Sequence, residues 1–140
     1  MLEVRDLCAH QGRAQLLFDV SFNAKAGEVL VLVGRNGAGK STTMKAIMGL
    51  LPTVSGEIHF DGASIAGLTP HEIAQRGLGY VPEDRRIFTD LTVAENLEVG
   101  RQPSRQNVAD APRWTILRVC ELFSRLGEML DRPGRSDVRR

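Results

Sequence analysis

Gly34-Arg35-Asn36-Gly37-Ala38-Gly39-Lys40-Ser41 fits G-x-x-x-x-G-K-[ST], and a match of this kind fixes the order of the elements around it. Upstream, Val29-Leu30-Val31-Leu32-Val33 is apolar at every position and rich in β-branched residues, which predicts a strand covered on both faces. Downstream, Thr42 to Leu51 is rich in helix formers and Pro52 stops it, which predicts a helix over 40–51. Between a strand and a helix, the glycines let the backbone curl with its N–H groups turned inward, an anion-binding nest at a helix N-terminus. Gly34, Asn36, Gly37, Ala38 and Gly39 are the expected cradle, with Lys40 reaching the β- and γ-phosphates, Ser41 offering a hydroxyl to Mg²⁺, and Thr42 completing the phosphate-binding set. A glycine-rich turn followed by lysine also occurs as a plain connector; the flanking strand and helix favour the phosphate reading. The implied ligand is a nucleoside triphosphate with Mg²⁺, and the implied fold class is α/β.

The rest of the composition narrows little. At 140 residues the chain is long enough for one domain, and 18 basic against 17 acidic residues leave no bulk charge that calls for nucleic acid or an anionic lipid surface. Cys8 and Cys120 lie far apart without metal-ligand spacing or accompanying histidines, so both are expected to be reduced and structural. Met1 to Asp6 has neither a basic nor an apolar leader region, and no apolar run approaches the roughly 18 residues a bilayer span needs. A cytoplasmic chain is expected, held at a membrane, if at all, by a partner.

Leu2 to Leu7 and Leu16 to Phe22 alternate apolar and polar residues around Gly12 and predict two strands of a hairpin. Gly56 to Phe60 followed by Asp61-Gly62 predicts a strand entering a tight turn, with another short strand near Ser64-Ile65. Thr69 as N-cap, Pro70 at the first position and Gly77 as terminator predict a helix over 70–76. Leu78 to Val81 is expected to be a strand leading into the polar loop 82–86. Thr92 and Glu95 offer a capping box for a helix to Val99, 102–107 reads as a polar linker, and Asp110 with Pro112 opens a helix expected to run through Leu126.

Several segments stand in one order: Leu2-Glu3-Val4 with Val20-Ser21-Phe22, the glycine loop, Met48 to Pro52 with Ser55-Gly56, Gly79-Tyr80-Val81-Pro82-Glu83, and Leu91-Thr92-Val93-Ala94-Glu95-Asn96-Leu97. This set resembles the ATP-binding subunit of ABC transporters. Val81 to Phe88 and Leu122 to Leu126 are most similar to subunits of branched-chain amino acid importers and their urea or amide relatives. The resemblance covers residues 2–134 and implies an incomplete P-loop NTPase fold of ABC type: an antiparallel β subdomain, part of a parallel core sheet and part of a helical subdomain. It implies ATP and Mg²⁺ as cofactors, membrane permease subunits and a second ATP-binding subunit as partners, no nucleic acid, and a place on the inner face of the plasma membrane. Glu83 falls where the family usually has a glutamine near the metal, so Ser41 and Glu83 are the implied metal residues. Arg85, Arg86 and Phe88 fall where the family docks a permease helix, with a solvated loop as the plain alternative for the arginines.

Two departures carry expectations. The aromatic residue that stacks on adenine in the family matches Gln11, beside His10, and its loss predicts weaker nucleotide binding unless His10 stacks instead. After Asp131-Arg132-Pro133-Gly134 the family's glycine-rich signature, acidic motif and switch histidine do not follow, and 135–140 read as an unrelated polar tail. With suitable codons, a one-base shift there reads Gly-Arg-Met-Ser-Gly-Gly, which is similar to the expected signature entry. An N-terminal fragment is therefore expected, with negligible ATP hydrolysis by itself, no catalytic residue of its own beyond Glu83, and marginal solubility. A non-catalytic docking module is the alternative. The lack of N-K-x-D argues against a GTPase, and the ordered set of segments argues against a kinase.

Overall fold

The computed structural model of the chain describes residues 1–84, 86–101 and 114–134, and it divides into two units, Met1–Tyr80 and Val81–Arg140. In the first unit, β1 (Leu2–Gln11) and β2 (Ala14–Ala24) form the expected hairpin, longer than the alternation suggested. β1 also pairs antiparallel with β3 (Thr53–Phe60), which turns through Asp61-Gly62 into the two-residue β4 (Ala63–Ser64). Both turn residues have positive φ, 49° and 80°, the geometry that matches strand twist in a two-residue hairpin. The sheet order is β2-β1-β3-β4.

Three register shifts interrupt the central hairpin, the last between Ala9, which pairs with Leu17, and His10, which pairs with Gln15. Val4 pairs with Phe22, Leu7 with Val20 and Ala9 with Leu17, so β1 gains a residue near Asp6 and β2 gains one near Asp19. Both aspartates take positive φ, 49° and 47°. Without the first bulge a period of two would send Val4 and Leu7 to opposite faces; with it Val4, Leu7 and Ala9 are all buried. Side chains satisfy the interrupted ladder: the Asp6 N–H donates to Ser21 Oγ at 2.8 Å, and the Cys8 thiol donates to Asp19 Oδ1 at 3.1 Å. Gly56 crosses β1 at the same place. A Cβ there would lie 2.5 Å from the Asp6 carbonyl oxygen, which is why β3 carries glycine opposite the bulge.

The core joins Val4, Leu7, Ala9, Leu17, Ile58 and Phe60 of the sheet to α1 (Lys40–Ile47), Ile65 and α2 (Pro70–Gln75). Helix α1 stops at Ile47 and does not run to Leu51. Gly49 takes φ 66°, its N–H donates to the Ala46 carbonyl and that of Leu50 to the Lys45 carbonyl, a Schellman closure one turn before the proline. Helix α2 starts as expected: Glu72 N–H donates to Thr69 Oγ1 and Thr69 N–H donates to Glu72 Oε2 at 2.8 Å.

The strands expected at Val29–Val33 and Leu78–Val81 are not formed. Among the described residues no ladder reaches either segment, and Val29 and Val33 are 87% and 90% exposed. A strand exists only with a hydrogen-bonded neighbour, which an apolar run cannot supply for itself. The expected parallel part of the sheet is therefore absent from the described residues, while the expected antiparallel subdomain is formed by β2-β1-β3-β4.

In the second unit α3 (Val93–Val99) begins with the Thr92–Glu95 capping box. The helix expected through Leu126 is two, α4 (Ile116–Leu122) and α5 (Ser124–Gly127), interrupted at Phe123. Thr115 caps α4 by accepting from Arg118 N–H; the Asp110 cap, Pro112, the linker 102–107, Arg85 and the tail 135–140 lie outside the described residues. Backbone bonds from Val93 to Arg132, Ala94 to Leu130 and Gly134 to Leu91 tie residues 130–134 to the start of α3.

Candidate nucleotide-binding loop

The loop from Gly34 to Gly39 turns on a bond from Ala38 N–H to the Arg35 carbonyl, 3.1 Å. Gly37 (φ 85°) and Gly39 (φ 90°) occupy the left-handed region, where a side chain is strained. The glycines differ in what else they answer to. A Cβ on Gly37 would meet nothing within 4 Å, so only its backbone needs glycine; one on Gly39 would lie 2.7 Å from Leu17 Cδ2, so β2 presses against the loop there. Gly34 lies between these cases, with Ala38 Cβ 3.1 Å from where its own Cβ would be.

Helix α1 opens directly from this loop. Thr43 is the residue that anchors it: its N–H and its hydroxyl both donate to the Gly39 carbonyl, at 2.8 and 2.9 Å. Thr43 is buried and was not singled out from sequence; a hydroxyl four residues beyond a motif glycine was the available signal. The first turn of α1 holds no acidic residue, so the positive end of the helix dipole faces the loop uncompensated. Lys40 bends back over the loop, Nζ donating to the carbonyls of Gly34 (2.8 Å) and Arg35 (2.9 Å). This holds an ammonium group at the loop mouth, where backbone amides and dipole also favour an anion. Gly34, Asn36, Gly37, Ala38, Gly39, Lys40, Ser41 and Thr42 are thus brought together as one continuous feature, with the Ser41 residue exposed at its edge.

Glu83 belongs to the other unit, in an exposed turn, and no group of three or more metal-ligating side chains occurs among the described residues. Arg86, also there, takes φ 38° and pairs with Asp84 at 2.9 Å. Gln11 ends β1 opposite Ala14, while His10 pairs with Gln15. Asp131 to Gly134 fits the short pattern D-x-x-G, yet Gly134 has a packing reason: a Cβ there would lie 2.7 Å from the Phe88 carbonyl oxygen.

The profile of the ABC transporter family matches residues 17–138, which include the whole loop. The chain belongs to the ABC transporter family. This ABC chain is 38% identical over 128 residues to the high-affinity branched-chain amino acid transport ATP-binding protein BraG of Pseudomonas aeruginosa, covering 91% of the chain and 54% of BraG. It is 40% identical over 97 residues to the lipopolysaccharide export system ATP-binding protein LptB of Haemophilus influenzae, covering 69% of the chain and 40% of LptB. A solved ATP-binding subunit of an ABC transporter superposes with a TM-score of 0.72 at 32% identity, over 94% of the chain and 53% of that subunit. The chain spans about half the length of the relatives it matches. Among the described residues, no helix is long and apolar enough to cross a membrane.

Proposed function

We propose that the chain is the nucleotide-holding portion of an ABC transporter's ATP-binding subunit, of the kind that serves branched-chain amino acid importers. The observation that carries this is the loop itself: two left-handed glycines, the α1 N-terminus and a lysine bent over both, on one continuous stretch. Gly34, Asn36, Gly37, Ala38, Gly39, Lys40, Ser41 and Thr42 hold the phosphates of Mg-ATP, the Ser41 hydroxyl is offered to the metal, and Glu83 is the further metal residue that the family resemblance implies. Membrane permease subunits and a second ATP-binding subunit are the partners, which would keep the chain on the cytoplasmic face of the membrane. The relative named for branched-chain amino acid transport supports the importer reading, and the relative named for lipopolysaccharide export marks the competing one.

Titration of the full chain with Mg-ATP, followed by calorimetry, tests the nucleotide part. Binding is expected in the wild type and a loss of at least tenfold in Lys40→Ala, with unchanged circular dichroism; equal affinities would refute it. Capture of purified permeases tests the solute. Retention of a branched-chain amino acid permease and not of a lipopolysaccharide export permease is expected, and the reverse would refute the importer.

A further inference from the structure

Helix α1 buries Thr43, Ala46 and Ile47, and two of the three are apolar. Thr43 is the only polar side chain that is buried among the described residues. A β-branched residue inside a helix forms it less readily than alanine or leucine, and a hydroxyl bonded back to the carbonyl four residues earlier bends a helix slightly without strengthening it. Neither packing nor helix formation calls for the hydroxyl at this position. What it touches is the last glycine of the phosphate loop. Thr43 Oγ1 donates to the Gly39 carbonyl at 2.9 Å, beside the Thr43 N–H at 2.8 Å, so both lone pairs of that oxygen are taken. Gly39 is held from a second side as well, since its Cβ position lies 2.7 Å from Cδ2 of the buried Leu17.

The consequence reaches the next residue. No peptide bond among the described residues is cis, so the Gly39 C=O and the Lys40 N–H share one plane and point in opposite directions. With the carbonyl drawn along α1 toward Thr43, the Lys40 N–H is aimed the other way, out of the helix end and into the curl of the loop. Lys40 is the first residue of α1, and its N–H has no partner within the helix. Its Nζ lies over the same loop, on the Gly34 and Arg35 carbonyls, so one residue presents an amide and an ammonium group to the same anion.

We infer that Thr43 is a positioning residue for phosphate binding: its hydroxyl fixes the plane of the Gly39–Lys40 peptide and thereby the direction in which the Lys40 amide meets a phosphate oxygen. The inference rests on the triphosphate reading above. With the plane set in advance, the ligand meets an amide that is already aligned. With one of the two bonds gone the peptide can rock, and binding has to arrest that motion at a cost in affinity. The effect falls on the phosphates, whatever group they carry.

Calorimetric titration of the full 140-residue chain with Mg-ATP and with magnesium tripolyphosphate, together with thermal melts, tests this on Thr43→Val and Thr43→Ser. Valine keeps the branched shape and removes the hydroxyl; serine keeps the hydroxyl and removes the buried methyl. Thr43→Val is expected to weaken both ligands by the same factor, at least about threefold, on the scale of one net hydrogen bond, and Thr43→Ser to stay within about twofold of the wild type. The melts are expected to rank the other way, Thr43→Ser below Thr43→Val, because a lost methyl leaves a void in the core. A threonine with a merely structural role gives no such crossing, since affinity then follows the midpoint. A smaller loss in Thr43→Val, a loss for ATP alone, or a Thr43→Ser chain as weak as Thr43→Val would overturn the inference while leaving the triphosphate reading intact. So would a Thr43→Val chain without helical circular dichroism, because the hydroxyl would then be holding the fold. Failure of both ligands to bind the wild type would overturn both readings.

Discussion

Asn96 is the tie of the second unit, and its replacement is a sharp test of how that unit is held. Its Oδ1 accepts the Phe88 N–H at 2.8 Å, while Nδ2 donates to the carbonyls of Phe88 (2.9 Å), Thr92 (2.9 Å) and Leu91 (3.3 Å). Asn96→Ala removes all four. With the three short bonds contributing about 0.5–1 kcal/mol each, the expected loss is about 1.5–3 kcal/mol. Asn96→Asp keeps the acceptor for Phe88 N–H but turns a second oxygen toward three carbonyls, so at neutral pH it is expected to cost at least as much. Protonation restores a donor there. The carboxyl introduced is thus favoured neutral in the folded state, its folded pKa lies above the unfolded value of about 3.9, and stability present below that value is lost as pH rises through the folded one. Urea unfolding followed by the fluorescence of Trp114, the chain's single tryptophan, measures the loss, with the wild type run at each pH because Glu95 also titrates in acid. Hydrogen exchange at the Phe88 amide supplies a local readout and is expected to quicken. A change below about 0.5 kcal/mol in Asn96→Ala, with Phe88 exchange unaltered, would refute the reasoning.

Two further outcomes follow from geometry. Gly39→Ala combines a left-handed backbone with a Cβ placed 2.7 Å from a buried leucine, and is expected to lose about 2–4 kcal/mol; Gly37→Ala, with open space around it, is expected to lose only about 1–2 kcal/mol, and equal thermal midpoints for the two would count against the packing of β2 on the loop. The carboxyl of Glu72 is held below its ordinary 4.5, first by the Thr69 hydroxyl and then by the Thr69 N–H, and that of Glu95 by the Thr92 N–H and then its hydroxyl. Lowered folded values mean that both capping boxes are at full strength above 4.5 and weaken as pH falls through the folded values. Glu72→Gln/Glu95→Gln is expected to melt below the wild type at neutral pH and to converge with it in acid; parallel curves would sink that account.

Local chemistry was legible in the sequence where the signal and its effect lie within a few residues. Thr92 with Glu95 forms the expected box and Thr69 is the expected cap of α2, to which Glu72 adds a reciprocal bond, because each cap needs only its own first turn. Asp61-Gly62 forms its turn for the same reason. The Schellman end at Gly49 was legible too, since a glycine ahead of Pro52 is the nearer stop, and the proline masked it. Val29–Val33 and Leu78–Val81 failed for the opposite reason. Their strand state depends on a ladder partner distant in sequence, and hydrophobicity records the preference to be covered without naming what covers it.

The bulges at Asp6 and Asp19 show how such a partner reaches into the site. Period-two reading of β1 splits Val4 from Leu7, yet both are buried. The bulge at Asp6 shifts that parity, and it is tolerated because Ser21 supplies an oxygen from the facing strand and Gly56 makes room from the other side. The loop from Gly34 to Ser41 is readable from eight consecutive residues, whereas the path of the hairpin whose Leu17 presses on Gly39 depends on an extra residue in β1 that Ser21 and Gly56, distant in sequence, accommodate.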